Sequence, residues 1–158
     1  MNGRRIPIAG SAPQHSDGLQ SSTLSPEQQL TATIVLRRRP GSQDIGEQLL
    51  SGHFEPISRD EAASTIGADP QDIAAVEAFA QQYDLQLTSA DPATRRVKVS
   101  GSVRNLEKAF GVELRNYGNY VSYRGPLTVP ESLSDSIIAV LGLDTRPVAR
   151  PRTNIAAV

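Results

Sequence analysis

Hydrophobic and polar positions change period several times along the chain, and each change marks an element. In LTATIVLRR, residues 30–38, Ala32, Ile34 and Leu36 alternate with Thr31, Thr33, Val35 and Arg37, which predicts a strand with one face to a core. The stretch that follows, PGSQDIGEQLLSGHFEPI, reads as a connection with a short helical piece around Glu47 to Leu50. Ser58 then stands three residues before Glu61, the spacing of a capping box, in front of a short helix that Gly67 closes. A longer helix begins with Asp69 as cap and Pro70 in the first turn. Its stripe, Ile73, Val76, Phe79, Ala80 and Tyr83, keeps one face apolar.

The period returns to two in LQLTSADPATRRVKV, a hairpin that turns at Asp91-Pro92 with Leu85, Leu87, Val97 and Val99 inward. Ser102 caps the next helix, which carries Val103, Leu106 and Phe110 and stops at Gly111. Val112 and Leu114 alternate with Glu113 and Arg115 as a further strand. Gly118-Asn119 turns the chain into YVSYRG, and a last short helix is expected between Pro130 and Gly142.

The order strand, helix, strand, strand, helix, strand is the split βαβ, ferredoxin-like plan, an α+β fold. It puts two main helices on one face of an antiparallel sheet and leaves the other face open, here with a C-terminal hairpin and short helix added. Alternation assigns Thr31, Thr33, Val35, Arg37, Gln86, Thr88, Arg96, Lys98, Glu113 and Arg115 to that open face. Residues 1–29, rich in Ser, Gln, Gly and Pro without a period, are expected to be a flexible segment, and the folded body to run over 30–144.

Composition narrows the chemistry. The 158 residues suit one domain, and 16 basic against 17 acidic residues remove the overall basic footprint of a general nucleic-acid binder. Local basic clusters remain at Arg37-Arg38-Arg39, at Arg95-Arg96 and at Arg146, Arg150 and Arg152. The aromatics that a single-stranded RNA platform needs are absent from the central strands, and no Gly-rich phosphate loop follows the first strand. Without cysteine there are no disulfides, thiolate metal sites or cysteine nucleophiles. The two histidines, His15 and His53, have no partner in sequence beyond a His53–Glu55 pair, so no catalytic constellation, metal or cofactor is expected. No stretch approaches the roughly 20 apolar residues of a membrane span, and the first thirty lack a secretory apolar segment. On residues alone the chain reads as an interaction module, with a stand-alone ligand-binding or regulatory domain on the same plan as the alternative.

Several blocks then fall into a familiar order. Pro56 to Glu61, Val99 to Val112, Tyr123 to Gly125, Val129 to Leu133 and Val140 to Asp144, within Thr33 to Arg150, resemble the activation propeptide of the sedolisin (kumamolisin-like) serine-carboxyl peptidases. The resemblance implies a prodomain acting as intramolecular chaperone and inhibitor, removed by self-cleavage in acid, secreted, and a monomer when isolated. Its implied partner is the cognate peptidase catalytic domain, with neither nucleic acid nor membrane involved. The family's catalytic and calcium-binding residues belong to that domain and have no counterparts in this sequence. Residues 145–158 become a linker toward it, extended because of Pro147 and Pro151, with Arg146, Pro147, Arg150, Pro151, Arg152 and Thr153 lying in the substrate cleft. Thr33, Val35, Arg96, Lys98, Glu113 and Arg115 are the expected docking residues. One departure is Asp84, where such propeptides commonly carry Gly between helix and strand.

Overall fold

The computed structural model describes residues 3–14, 20–41, 50–52 and 55–147. Its strands are β1 (Arg5–Pro7), β2 (Ser22–Thr23), β3 (Gln29–Leu36), β4 (Gln86–Asp91), β5 (Arg96–Ser102), β6 (Leu114–Asn116), β7 (Val121–Tyr123), β8 (Thr128–Pro130) and β9 (Ile137–Leu141). The helices among the described residues are α1 (Arg59–Thr65), α2 (Pro70–Gln82) and α3 (Val103–Phe110), with a 3₁₀ turn at Glu131–Leu133. The main sheet has the order β4-β5-β3-β9, and every neighbouring pair is antiparallel. The β3–α2–β4 crossover leaves a gap that β5 fills, which makes the split βαβ unit of a ferredoxin-like α+β fold.

Local sequence explains where the helices start and stop. Ser58 accepts from the Glu61 N–H at 3.2 Å while its own N–H donates to the Glu61 carboxylate at 2.9 Å, closing the capping box of α1. Asp69 accepts from the Gln71 N–H at the head of α2, and Ser102 from the Asn105 N–H at the head of α3. Gly111 ends α3 at φ 66°, a left-handed geometry that side chains disfavour.

The core lies between one face of the main sheet and the two longer helices. Ala32, Ile34, Leu36, Val97 and Val99 point inward and are buried, against Val76, Phe79 and Ala80 of α2 and Val103, Leu106, Ala109 and Phe110 of α3. The Phe79 and Phe110 rings meet edge to face with centroids 5.8 Å apart. Each large side chain so buried contributes about 1.5–3 kcal/mol of transfer free energy.

Three expectations are corrected. Residues 112–115 do not supply the fourth strand of the main sheet; Leu114–Asn116 instead forms β6, between β2 and β7 in a second, small sheet. The fourth place belongs to β9, inside the stretch expected to be helical, where only the 3₁₀ turn forms. Ile137-Ile138-Ala139-Val140-Leu141 is strongly β-prone, and β3 offers it an open edge, a tertiary opportunity that overrides the local cap signals.

The second correction concerns the N-terminal segment, whose described residues are tied to the body. β1 pairs with β8 and Ile8 is buried in the core. The Arg5 guanidinium donates to the Thr128 hydroxyl at 3.1 Å, to the Tyr83 hydroxyl at 3.1 Å, to the Thr128 carbonyl at 2.7 Å and to the Ala109 carbonyl, so it caps the end of α3.

The third concerns the start of the expected linker. The Thr145 N–H donates to the Val121 carbonyl at 2.8 Å, and the Val121 N–H donates to the Thr145 hydroxyl at 2.8 Å, so Thr145 is stitched onto β7. Among the described residues no helix is long and apolar enough to cross a membrane. The short helical piece expected near Glu47 lies outside the described residues, apart from Leu50.

Candidate docking surface

The face of the main sheet turned away from the helices is uncovered by any described element, and its residues follow from the register. Arg96 of β5 stands beside Val35 of β3, which stands beside Ala139 of β9. The next outward row is Lys98, Thr33 and Leu141, and a third begins with Gln86, Ser100 and Thr31. Thr33, Val35, Arg96 and Lys98 are therefore brought together as the sequence predicts. Arg96 and Lys98 are exposed, while Thr33 and Val35 are half-buried between their neighbours. Leu141 is 51% exposed and Ile138, at the bulge opposite Val35 and Leu36, is 48% exposed.

Glu113 and Arg115 are not part of this face. They flank Leu114 in the region of β6, where the Arg115 guanidinium donates to the Glu113 carboxylate at 2.6 Å and to the Ser21 hydroxyl at 2.7 Å. Arg37 also leaves it: beyond the end of β3 its guanidinium turns to Asp72 on α2, with Nε 3.0 Å from the carboxylate. Ser136 donates to the other Asp72 oxygen at 2.9 Å, so this buried acid ties α2 to the segment entering β9. The hydrogen bond to Asp72 holds the Arg37 guanidinium above its ordinary pKa, against the opposing effect of burial. Arg39 donates to the Ser64 carbonyl and Arg95 to the Leu36 carbonyl, which gives both of these arginines structural roles.

A second feature lies beyond the free edge of β9. An open groove of about 790 Å³ runs between Ile138–Gly142 and the N-terminal arm from Ile8 to Gln14, and Tyr123, Asp144 and Arg146 complete its lining. Ser11 fixes the arm, since the Leu127 N–H donates to its hydroxyl at 2.9 Å and the Tyr123 hydroxyl donates to its carbonyl at 2.7 Å. Asp144 accepts from Arg146 Nη2 at 2.7 Å and from Nε at 3.0 Å, and Arg146 reaches on to the Gln14 carbonyl. Burial pushes the Asp144 carboxyl up, but the hydrogen bonds and charge of Arg146 and a hydrogen bond from Ser122 outweigh it and leave its pKa below 3.8. The acid and the base among the described lining residues thus neutralise each other, an arrangement that anchors chain and offers no general acid–base pair.

His15 and His53 lie outside the described residues, as do Arg150, Pro151, Arg152 and Thr153 of the expected cleft-binding tail. Of that tail, Arg146 is held by Asp144 and Pro147 is exposed. Among the described residues, no three His, Cys, Asp or Glu side chains gather in a way that could hold a metal ion. Reading the sequence alone misses Ile138, Ala139 and Leu141 as surface residues and the Asp144–Arg146 clasp. The β-prone run at 137–141 is the available signal for the first; nothing local signals the second.

Comparison with known proteins finds a family and two relatives. The family model "Pro-kumamolisin, activation domain" matches residues 17–146. Kumamolisin from Bacillus sp. (strain MN-32) is 35% identical over 158 aligned positions, covering 94% of this chain and 29% of the relative. Tripeptidyl-peptidase sed5 from Aspergillus fumigatus is 24% identical, covering 89% of this chain and 28% of the relative. The chain therefore spans under a third of the length of either protein. With a matching family model over most of its residues and a kumamolisin relative above 30% identity, this chain belongs to the pro-kumamolisin activation domain family.

Proposed function

We propose that this domain is the propeptide of a sedolisin-type serine-carboxyl peptidase: it assists folding of the catalytic domain, covers it, and leaves after acid-triggered self-cleavage. The observation that carries the reading is the family match over residues 17–146, in relatives that run on far beyond the matched region. A secreted location follows from the same reading. The body, with the N-terminal arm and Thr145 as part of it, docks through the open sheet face, and the chain beyond the Asp144–Arg146 clasp leads on toward the substrate cleft. While both domains share one polypeptide, the short linker supplies an effective concentration near millimolar, so a modest interface suffices for closure. After cleavage that advantage is gone and the sheet face must hold by its own contacts, on the expected scale of roughly 1,600 Å².

The direct test adds the isolated chain to its cognate mature peptidase and measures inhibition from pH 7 to pH 3, alongside a version ending at Asp144. Inhibition near neutrality that fades in acid is expected, and the shorter version should inhibit more weakly. No inhibition at any pH would overturn the inhibitor role. Refolding of the denatured catalytic domain with and without the chain tests the chaperone role separately, the expected outcome being a higher yield of active enzyme with it.

A further inference from the structure

An inhibitory face that releases in acid needs groups that titrate in acid, and on the described rows of this open face the only carboxylate is already engaged within the domain. The rows are Asp91, Arg96, Val35 and Ala139, then Ser89, Lys98, Thr33 and Leu141, then Gln86, Ser100 and Thr31. Among the described residues the only carboxylate in register with either cation is Asp91 of β4, opposite Arg96, and it is already bonded to Arg59 of α1 and to the Ala93 N–H in its own turn. Hydrogen bonds from Thr94 and then the charge of Arg59 hold the Asp91 carboxyl below its ordinary range, against burial. The remaining neighbours of the two cations, Ser89 on β4, Val35 and Thr33 on β3, and Ala139 and Leu141 beyond them on β9, carry no charge. Among the described residues neither Arg96 nor Lys98 is in an ion pair, and both are exposed.

The face is thus divided across the strands. One side carries two cations on β5. Two strand spacings away, roughly 10 Å, the other side carries Leu141 and Ile138, each about half exposed. Resting on the propeptide reading, we infer that the surface this face docks onto presents carboxylates opposite Arg96 and Lys98 and an apolar strip opposite Ile138 and Leu141, so that the titrating half of the acid release belongs to the partner. The arginine and lysine keep their charge throughout the acid range. Lowering the pH protonates the partner's carboxylates, removes the attraction and leaves two cations facing neutral acids, whereas the apolar contact does not respond to protons. Charge then sets when the complex opens, and burial at β9 sets how tightly it closes.

Binding of the whole chain to the cognate peptidase domain, measured from pH 7 to pH 4, tests this with two variants. The double substitution Arg96→Gln/Lys98→Gln should weaken binding by about tenfold at pH 7 and flatten the fall with acid. Leu141→Ser should weaken it by a constant factor at every pH. All substituted residues are exposed, and thermal unfolding curves matching the wild type confirm that each variant is folded. A double variant that retains the wild-type pH profile overturns the assignment while leaving the propeptide reading intact. A wild-type chain that never binds overturns both.

Discussion

At the scale of single residues, backbone geometry gives the sharpest expectation. Asp84 sits at φ 54° between α2 and β4, a left-handed conformation that costs an ordinary side chain about 1–2 kcal/mol and glycine almost nothing. Glycine also loosens the unfolded chain, which returns part of that gain. Asp84→Gly should therefore stabilise the domain by up to about 1 kcal/mol, read as a higher urea midpoint; a lower midpoint would show that the aspartate has a native role outweighing its strain. Gly142 is the opposite case. At φ 95° a Cβ would stand 2.8 Å from the Thr31 carbonyl oxygen, so Gly142→Ala should destabilise the domain where β9 leaves the sheet. Asp84 is legible in the sequence as a departure from the family pattern, because a helix-to-strand turn demands an unusual backbone. The close approach at Gly142 is not, since it depends on a strand far away in the chain.

At the scale of elements, helix ends are legible in the sequence and strand partners are not. Capping is a matter of neighbours within four residues, so the sequence suffices to place Ser58, Asp69 and Ser102 at helix starts. The same holds for the inward stripe of α2. Phe79 and Phe110 lie in one core with Leu36, Val99 and Leu114, as their periodicity requires. Truncating Phe110, which has no exposed surface, to alanine should cost about 3–5 kcal/mol and leave the isolated domain largely unfolded by circular dichroism. Wild-type-like thermal unfolding would remove α3 from the core. Strand pairing is non-local, and alternation says which face is inward without saying which edge a strand joins. For that reason the pattern around Leu114 predicts its burial correctly and its sheet incorrectly, and the cap signals flanking β9 suggest a helix where a strand forms.

At the scale of the whole molecule, the pH response of stability among the described residues follows from three carboxyls whose folded-state pKa values are depressed. Glu61 is held down by the Ser58 backbone and hydroxyl, Asp91 by Thr94 and Arg59, and Asp144, against the upward push of burial, by Arg146. A depressed carboxyl contributes stability that is fully present above its unfolded value, 4.5 for Glu61 and 3.8 for the two aspartates, and is lost as pH falls through its folded value. Thermal stability of the isolated domain should accordingly hold from pH 7 to about pH 5 and fall only below the ordinary carboxylate range. Asp144→Asn should remove part of that acid-side decline and lower stability at pH 7. An unchanged melting profile across both conditions would mean that the clasp with Arg146 adds nothing. The domain itself is then expected to remain folded in mild acid, so the acid release proposed above would not require its unfolding.

The sequence by itself determined what depends on near neighbours and on composition: the starts of α1, α2 and α3, the inward sets of β3 and β5, the Asp91-Pro92 hairpin, the cysteine-free chemistry and the order of blocks that mark the family. It also placed Arg96, Lys98, Thr33 and Val35 on one face, because strand alternation is strictly local. Only the tertiary structure decided that β9 completes the sheet and lends the face its apolar side, and that Glu113 and Arg115 belong to the region of a separate small sheet. It alone decided that Arg5 reaches across to Tyr83, Ala109 and Thr128 and draws the N-terminal arm onto the body. These contacts join residues up to 123 positions apart. No local pattern encodes such closures, because they exist only once the core has brought both partners to the same place.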